Sequence, residues 1–592
     1  MRITYLNSRR LYNAFLAGGN AVIEDKDYLN KINVFPVPDA DTGTNLAATV
    51  MSIAQSSVLT ESIKSTMRSM ADAALMGARG NSGLIFAQFV HGISREIKSD
   101  LKMTTRTFGE MVKAAMHHVQ KSIVSPREGT MLTVIRDWAD FVYHHCTKTH
   151  DFIELLTNSL QVARQSLMDT PKKLSVLAKA GVVDAGAKGF VDFIEGILDF
   201  IRRGKLRAIA EKTVDWRTPE PRGHALKSEI THRYCTEAMM NGTGLDIDRL
   251  RRHLQSCGES AIIAGSEERV RFHVHTNQPA ELFYTLKDCG TVTQVKVDDM
   301  IKQYEASHNR KAPIALVTDT SCDLPQEVID EHQIHIIPFQ LAFGESLFLD
   351  RLTISPDQFY TLQKTRPISP QTSQPSASVT QAAISFLTTH YESIIMFHIS
   401  GGLSGTYSGS CQAAEKIEGK KISVIDSKGL SLMLGLLVLR AAEAVQEGKR
   451  HEEIVARAEE WIRKTKIFVD VQTLKYMVRG GRVSPLKGLL AKLLNIKPII
   501  SLDEQGKSLA IGKSFSRRGN MKKIVKLAEE MSGQGRIWKY GIVHAQNRQR
   551  AELYQEKLKI LLGFEPAFIE EVTPVIGVHV GAGVVGIVLM AE

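Results

Sequence analysis

The spacing of apolar positions changes twice along the chain, and each change predicts a different architecture. In GFVDFIEGILDFIRRGK, Phe190, Phe193, Ile194, Ile197, Leu198 and Ile201 recur at intervals of three and four, the one-sided stripe of a helix lying on a core. Weaker stripes of the same period precede it and alternating runs are few, so residues 1 to about 205 are expected to be all-helical. Beyond about residue 228 the period shortens to two. In VRFHVHT, Val270, Phe272 and Val274 face one way and Arg271, His273 and His275 the other, which predicts strands in a small α+β module. Further on, apolar runs (IALVT, SIIMFHIS, KISVIDS, KIFVDVQ, YGIVHA) alternate with amphipathic helical segments, the rhythm of an α/β domain. The proline- and charge-rich stretch DWRTPEPRGHALKSE, residues 215–229, reads as a linker, as does the polar EASHNRKAP. The expected domains are 1–210, 228–305 and 312–592.

Length agrees with several domains, because 592 residues exceed what one core usually organises. No uninterrupted apolar run is long enough to cross a bilayer. The most apolar tail, VIGVHVGAGVVGIVLM, contains His579 and four glycines and is expected to form buried strands and turns. The N-terminus lacks the order of a signal peptide, so a cytoplasmic enzyme is expected. Six scattered cysteines without a C-x-x-C pair argue for reduced thiols rather than a disulfide framework. A formal net charge of +10 suits nucleic acid, a membrane surface or anionic ligands. Lys and Arg form no dominant basic block, so no nucleic-acid partner is expected and anionic ligands are.

The chemistry concentrates in particular turns. In NVFPVPDADTGTNLAATV, Pro36 and Pro38 stiffen the approach to Asp39 and Asp41, Gly43 lets the chain turn, and Thr42 or Thr44 can cap the next helix. Two carboxylates held together repel unless a cation sits between them. Magnesium is typically bound by one or two carboxylates plus water and phosphate oxygens. The alternative is an Asp-rich turn that only caps a helix. Three further glycine-bearing turns, LMGARGNSGLIFAQF, SPREGTML and AGVVDAGAKGF, open helices whose free N–H groups can face phosphate. Together with the aspartate loop they favour nucleotide phosphate plus magnesium.

These four turns resemble the nucleotide-binding domain of the dihydroxyacetone-kinase family, most closely that of the fatty-acid kinase A family. The resemblance implies an eight-helix barrel holding ATP and two magnesium ions at one mouth. It carries metal binding to Asp39, Asp41 and Asn33, and nucleotide contacts to Thr44, Asn45, Asn81, Ser82 and Thr130. Ala40 departs from the pattern, which usually has Gly there, and a positive φ at that place would strain an alanine.

His273 and His275 project to one side of a strand and, with a third ligand from elsewhere, can chelate zinc; Cys235 in HRYCTEAMM is the candidate. Strand histidines are also commonly surface or hydrogen-bonded groups. The module resembles the middle domain of the fatty-acid kinase A family, in which the corresponding Cys and paired His bind zinc. The last part resembles the DegV family of fatty-acid-binding kinase partners, through LVTDTSCDLP, TSQPS, HISGGLSGTYSGS, VIDSKGLS, MVRGGRVS and GVHVGAGVVGIV. That resemblance implies a two-lobed α/β fold with an apolar tunnel. It carries carboxylate binding to Thr372 and Ser404, with Ser373 and Gly405 adjacent, and contact with the transferred phosphate to Arg482 and His579. The function implied is ATP-dependent phosphorylation of a bound long-chain fatty acid to an acyl phosphate. Transient contact with a membrane surface and an acyltransferase, and a homodimer, are compatible with it. A glycerone or small-alcohol kinase, and a nucleotide-regulated lipid carrier without turnover, are the alternatives.

Overall fold

The computed structural model describes residues 2–36, 40–98, 101–203, 230–482 and 497–592. Asp39 and the linker expected at 215–229 lie outside the described residues. The chain forms two compact units, Met1–Gln303 and Tyr304–Glu592.

The first unit begins with eight long helices: α1 (Ser8–Glu24), α2 (Thr42–Ser56), α3 (Ile63–Gly77), α4 (Gly80–Arg95), α5 (Thr105–Ser122), α6 (Met131–His145), α7 (Phe152–Met168) and α8 (Ala185–Arg203). Each packs on the next, and α8 returns to α1, so the ring closes. The stripe read on α8 faces inward: Phe190, Phe193, Ile194 and Leu198 are buried. Aromatic rings meet edge to face across the interior, Phe193 with Phe15 and Phe86 at 5.3 and 4.9 Å, and Phe190 with Phe89 and Trp138 at 5.8 and 5.5 Å. Such pairs add about 0.5–1.5 kcal/mol each beyond their burial.

An antiparallel sheet in the order β2-β3-β1-β4 follows, from β1 (Tyr234–Asn241), β2 (Glu259–Gly265), β3 (Arg269–Thr276) and β4 (Thr291–Asp299). Both faces of β3 are buried beyond Arg269. The polar face is covered by the helical ring. Arg271 Nη1 donates to the Met76 carbonyl at 3.1 Å, the Gly265 N–H donates to Gln88 Oε1 at 2.9 Å, and the Val124 N–H donates to the Ala261 carbonyl at 3.1 Å. Met239 and Ile262 belong to the same apolar cluster as the helices. Polar side chains on a strand therefore mark a docked face here, satisfied by partners rather than by water.

The second unit contains a parallel sheet, β11-β10-β5-β6, built from β5 (Ile314–Asp319), β6 (His335–Ile337), β10 (Ser393–His398) and β11 (Lys421–Asp426). A three-stranded antiparallel sheet joins β7 (Gln340–Phe343), β8 (Ser346–Leu349) and β9 (Gln371–Ser373). A larger sheet runs β14-β13-β12-β17-β15-β16, from β12 (Thr465–Asp470), β13 (Lys497–Leu502), β14 (Ser508–Ser514), β15 (Ile537–His544), β16 (Phe568–Glu571) and β17 (Val585–Ala591). The helix Leu432–Gln446 touches strands of both the parallel and the larger sheet. Its run Leu432 to Leu439 is buried without a break, as expected of a helix enclosed on all sides.

The apolar tail differs from expectation in its first part. Pro574–Val580 is a helix, not a strand. Two buried carboxylates hold its start: Asp323 Oδ1 accepts from the Thr573 N–H at 2.9 Å and Asp350 Oδ1 from the Val575 N–H at 3.0 Å. Satisfying those otherwise orphaned donors outweighs the strand preference of its β-branched residues. The left-handed glycines Gly581 and Gly583 (φ 74° and 90°) then turn the chain into β17. Among the described residues no helix is long and apolar enough to cross a membrane.

Candidate nucleotide, metal and acyl sites

The four glycine-bearing turns meet at one mouth of the helical ring. Gly43 begins α2 so close to the chain before it that a Cβ would lie 2.0 Å from the Lys26 carbonyl oxygen, and Gly80 sits 2.4 Å, by the same measure, from Asn45 Nδ2. Gly186 packs against Ser82 Oγ and the Met131 Cβ. The N-termini of α2, α4, α6 and α8 are thereby gathered, with the positive ends of their dipoles in one region. Thr44 is held from both sides by Asn30, whose Nδ2 donates to Thr44 Oγ1 at 2.9 Å and whose Oδ1 accepts from the Thr44 N–H at 3.0 Å. Thr130 spends its hydroxyl on the Arg127 carbonyl at 2.8 Å. Asp184 joins the last two turns through the N–H groups of Ala187 and Met131, and burial pushes its carboxyl up to about 6.

Of the aspartate loop, Ala40 and Asp41 are described and lead into α2; Pro38, like Asp39, lies outside the described residues. Helix α2 starts at Thr42, with Asp41 as N-cap. Neither Thr42 nor Thr44 caps it, because Thr44 is committed to Asn30. Asn33 is buried. Ala40 has φ 54°, the left-handed geometry that a glycine would adopt freely. The Asn81 Oδ1 is buried and finds no hydrogen-bond partner among the described residues, an unmet acceptor that suits a ligand hydroxyl or amine.

Cys235, His273 and His275 come together on the sheet, with candidate ligand atoms all within 4.8 Å of one another. Cys235 Sγ lies 3.7 Å from His273 Nδ1, and the two imidazole centroids are 4.9 Å apart. His273 Nε2 is buried without a partner among the described residues, and burial, with His273 and His232 nearby, lowers His275 to about 3. Two imidazoles beside a thiol are a donor set fit for zinc. Burial, then the carboxylates of Glu237 and Asp298, push the Cys235 thiol up, and the Asp41 carboxylate is close enough to add to the rise. The cluster thus neighbours the aspartate loop. A metal would reverse the shift by stabilising thiolate.

In the second unit, Thr372 on β9, Ser404, Arg482 and His579 line one cavity of about 70 Å³ whose walls are otherwise mostly apolar, including Phe339, Ile399, Leu403, Leu430, Ile576 and Val580. Thr372 Oγ1 is 3.0 Å from His579 Nε2. Burial and then the Arg482 charge lower His579 to about 4, so it is neutral near pH 7. Gly480 lets the backbone pass against this imidazole: a Cβ there would stand 2.2 Å from His579 Nδ1. Ser404 Oγ is 2.9 Å from Thr406 Oγ1 at the start of helix Thr406–Ala414. Gly405 faces Gln374. Ser373 points elsewhere, donating to Gln340 Oε1 at 3.4 Å, and does not line the cavity. A polar vestibule of about 250 Å³ shares Thr372, Arg482 and His579 with the cavity and adds Tyr476 and Arg479.

Comparison with known proteins assigns the parts. The DAK2 domain model matches residues 36–199, the model for the middle domain of fatty acid kinase A-like proteins matches 231–307, and the model for the uncharacterised DegV family matches 313–592. The chain joins a DAK2 domain, a fatty acid kinase A-like middle domain and a DegV domain. Uncharacterized proteins of Staphylococcus saprophyticus and Staphylococcus epidermidis are 32% and 30% identical to it over 320 and 312 residues, in each case 51% of this chain and 56% of theirs. The chain therefore spans little more than half the length of these relatives. Similar solved structures include DegV, described as a fatty acid binding protein, from Bacillus subtilis (29% identity, TM-score 0.45, 48% of this chain and 100% of that one). Another is a DegV family protein from Thermus thermophilus (26%, 0.44, 47% and 99%).

Several residues of these sites escape sequence reading. In the DAK2 domain, Asn30 organises the first turn from 14 positions away and Asp184 ties its own turn to the one before Met131, and in the middle domain Glu237 fills the space between cluster and ring. In the DegV domain, Arg479 and Tyr476 reach the vestibule. Three of these stood inside stretches already singled out, Asp184 in AGVVDAGAKGF, Glu237 in HRYCTEAMM and Arg479 in MVRGGRVS, but nothing in those stretches marked them apart from their neighbours.

Proposed function

We propose that the protein is a fatty-acid kinase that transfers the γ-phosphoryl group of ATP to a long-chain fatty acid held in its own DegV domain. The observation that carries this reading is the meeting of Thr372, Ser404, Arg482 and His579 on one apolar cavity, in a chain that also has a DAK2 domain. A carboxylate is ionised near pH 7 and needs hydrogen-bond donors that do not neutralise it. Neutral His579, carrying its proton on Nε2, would donate to Thr372 and turn the threonine hydroxyl toward the cavity. Ser404 would supply a second hydroxyl. Arg482, with Arg479 beside it in the vestibule, would offset charge on the incoming phosphoryl group.

The step balances without a general base. A carboxylate oxygen attacks the γ-phosphorus, the bond to the bridging oxygen breaks, and ADP leaves with that electron pair. Asn81, Ser82, Thr44 and Asn45 would orient the nucleotide at the gathered helix N-termini. Asp41, with Asp39 and Asn33, would hold magnesium, which when bound supplies charge neutralisation at the phosphates. Cys235, His273 and His275 would hold zinc. Fusion keeps carrier and kinase together at an effective concentration of roughly millimolar where geometry permits. The acyl phosphate is an activated acyl donor suited to phospholipid synthesis.

Paired variants test the division of labour. Asp41→Ala should reduce ATP turnover at least about 100-fold and leave fatty-acid affinity unchanged; Ser404→Ala should weaken fatty-acid binding and leave nucleotide affinity unchanged. Loss of fatty-acid binding in folded Asp41→Ala would contradict the assignment. The strained Ala40 favours a second reading, a nucleotide-regulated carrier with weak metal binding, and fatty-acid retention without any ATP consumption would support it.

A further inference from the structure

Glu237 lies in the middle of β1, 1% exposed, and makes a connection that neither the metal cluster nor the nucleotide mouth requires by itself. Its Oε1 accepts from the Gly80 N–H at 2.6 Å and lies 3.1 Å from His273 Nδ1, while Oε2 is 3.5 Å from Arg271 Nη2. One carboxylate oxygen thus touches the first residue of the phosphate-facing helix α4 and a member of the metal cluster. We propose that Glu237 is a positioning residue through which a metal ion on Cys235, His273 and His275 and a nucleotide at the Gly80–Gly83 turn strengthen each other's binding. This rests on the reading that the DAK2 mouth takes nucleotide.

The geometry supplies the coupling. Glu237 Oε1 is the nearer neighbour of His273 Nδ1, at 3.1 Å against 3.7 Å for Cys235 Sγ, and Nε2 is buried and unpartnered among the described residues, the nitrogen open to a metal. With metal on Nε2 the imidazole proton must sit on Nδ1, where it donates to Glu237; without metal the proton can sit on either nitrogen, and one tautomer sets a lone pair against the carboxylate. The metal therefore selects the state in which Glu237 is held firmly. Glu237 in turn anchors Gly80, which has the left-handed φ of 58° and closes over Asn45. Fixing Gly80 fixes the first turn of α4 and leaves none of that ordering to be done when phosphate arrives.

The test uses the full chain, stripped by chelator and reloaded with zinc or cobalt(II), and reads the affinity for Mg-ADP by calorimetry. Metal removal should weaken Mg-ADP by about five- to tenfold, and by linkage Mg-ADP should tighten cobalt by the same factor. The cobalt absorption bands should shift on adding Mg-ADP. Glu237→Gln should stay folded by circular dichroism and take one equivalent of metal at saturating zinc, yet bind Mg-ADP equally with and without metal and show no band shift. Equal affinity in stripped and loaded wild-type protein whose circular dichroism is unchanged would overturn the inference, as would coupling that survives Glu237→Gln. Metal binding by Glu237→Gln as tight as in the wild type would also overturn it, since a carboxylate that holds the His273 tautomer must favour the metal. Absence of Mg-ADP binding in every form would overturn the nucleotide reading itself, and this inference with it.

Discussion

At the scale of single residues, two backbone positions set the quality of the two sites. Ala40 holds φ 54° beside Asp41, a geometry that costs an L-residue with a Cβ roughly 1–2 kcal/mol. Ala40→Gly relieves that strain and concedes some chain entropy, so a net gain of about 0.5–1 kcal/mol is expected. Thermal melting checks the gain, and magnesium should bind more tightly in the same variant; a drop in melting temperature would show that the loop is not strained. Gly480 has the opposite requirement. With a Cβ 2.2 Å from His579 Nδ1, Gly480→Ala must push the imidazole off Thr372. Displacement of a fluorescent fatty acid should then show at least a tenfold loss of affinity, equivalent to about 1.4 kcal/mol, with nucleotide binding unchanged.

At the scale of elements, the short helix Pro574–Val580 carries Val575, Ile576, His579 and Val580 to the cavity, and its position depends on two buried acids. Burial pushes Asp323 up to about 6 and Asp350 up to about 7. A carboxyl whose folded pKa exceeds its unfolded value of about 3.9 gives stability that is complete below that value and lost as pH rises through the folded pKa. For Asp350 the window of loss runs from about 4 to about 7. Asp350→Asn keeps an acceptor for the Val575 N–H and removes the buried charge. Its melting temperature relative to wild type should therefore climb between about pH 5 and pH 8, by an amount equivalent to more than about 1 kcal/mol; a flat difference would contradict the shift. His579, lowered to about 4, has the opposite sign, losing stability as pH falls from about 6.5 toward 4. This helix also shows where sequence patterning fails. Its β-branched residues suggest strand, while the residues that make it a helix, Asp323 and Asp350, are more than 220 positions away.

At the scale of the whole molecule, the change of apolar period from 3.6 to 2 and then to an alternation of both carried the order of the parts, because burial on one face leaves a local imprint. The α8 stripe is an example: its apolar residues face the ring interior. The candidate ligands Thr372, Ser404, Arg482 and His579 were legible through motifs, and the fold brings them to one cavity although Thr372 and His579 are 207 positions apart. What no local pattern encodes is the docking of the middle sheet on the helical ring. The polar face of β3 is covered by that ring, and Glu237, although it stands two residues after Cys235 in HRYCTEAMM, takes its meaning from Gly80, Arg271 and His273 around it. The central claim is that one chain both holds the acid and phosphorylates it. The most direct test incubates the purified full chain with a long-chain fatty acid, Mg-ATP and hydroxylamine. The account predicts acyl hydroxamate formed in step with ADP and absent from Asp41→Ala; bound fatty acid with ATP intact and no hydroxamate would contradict it.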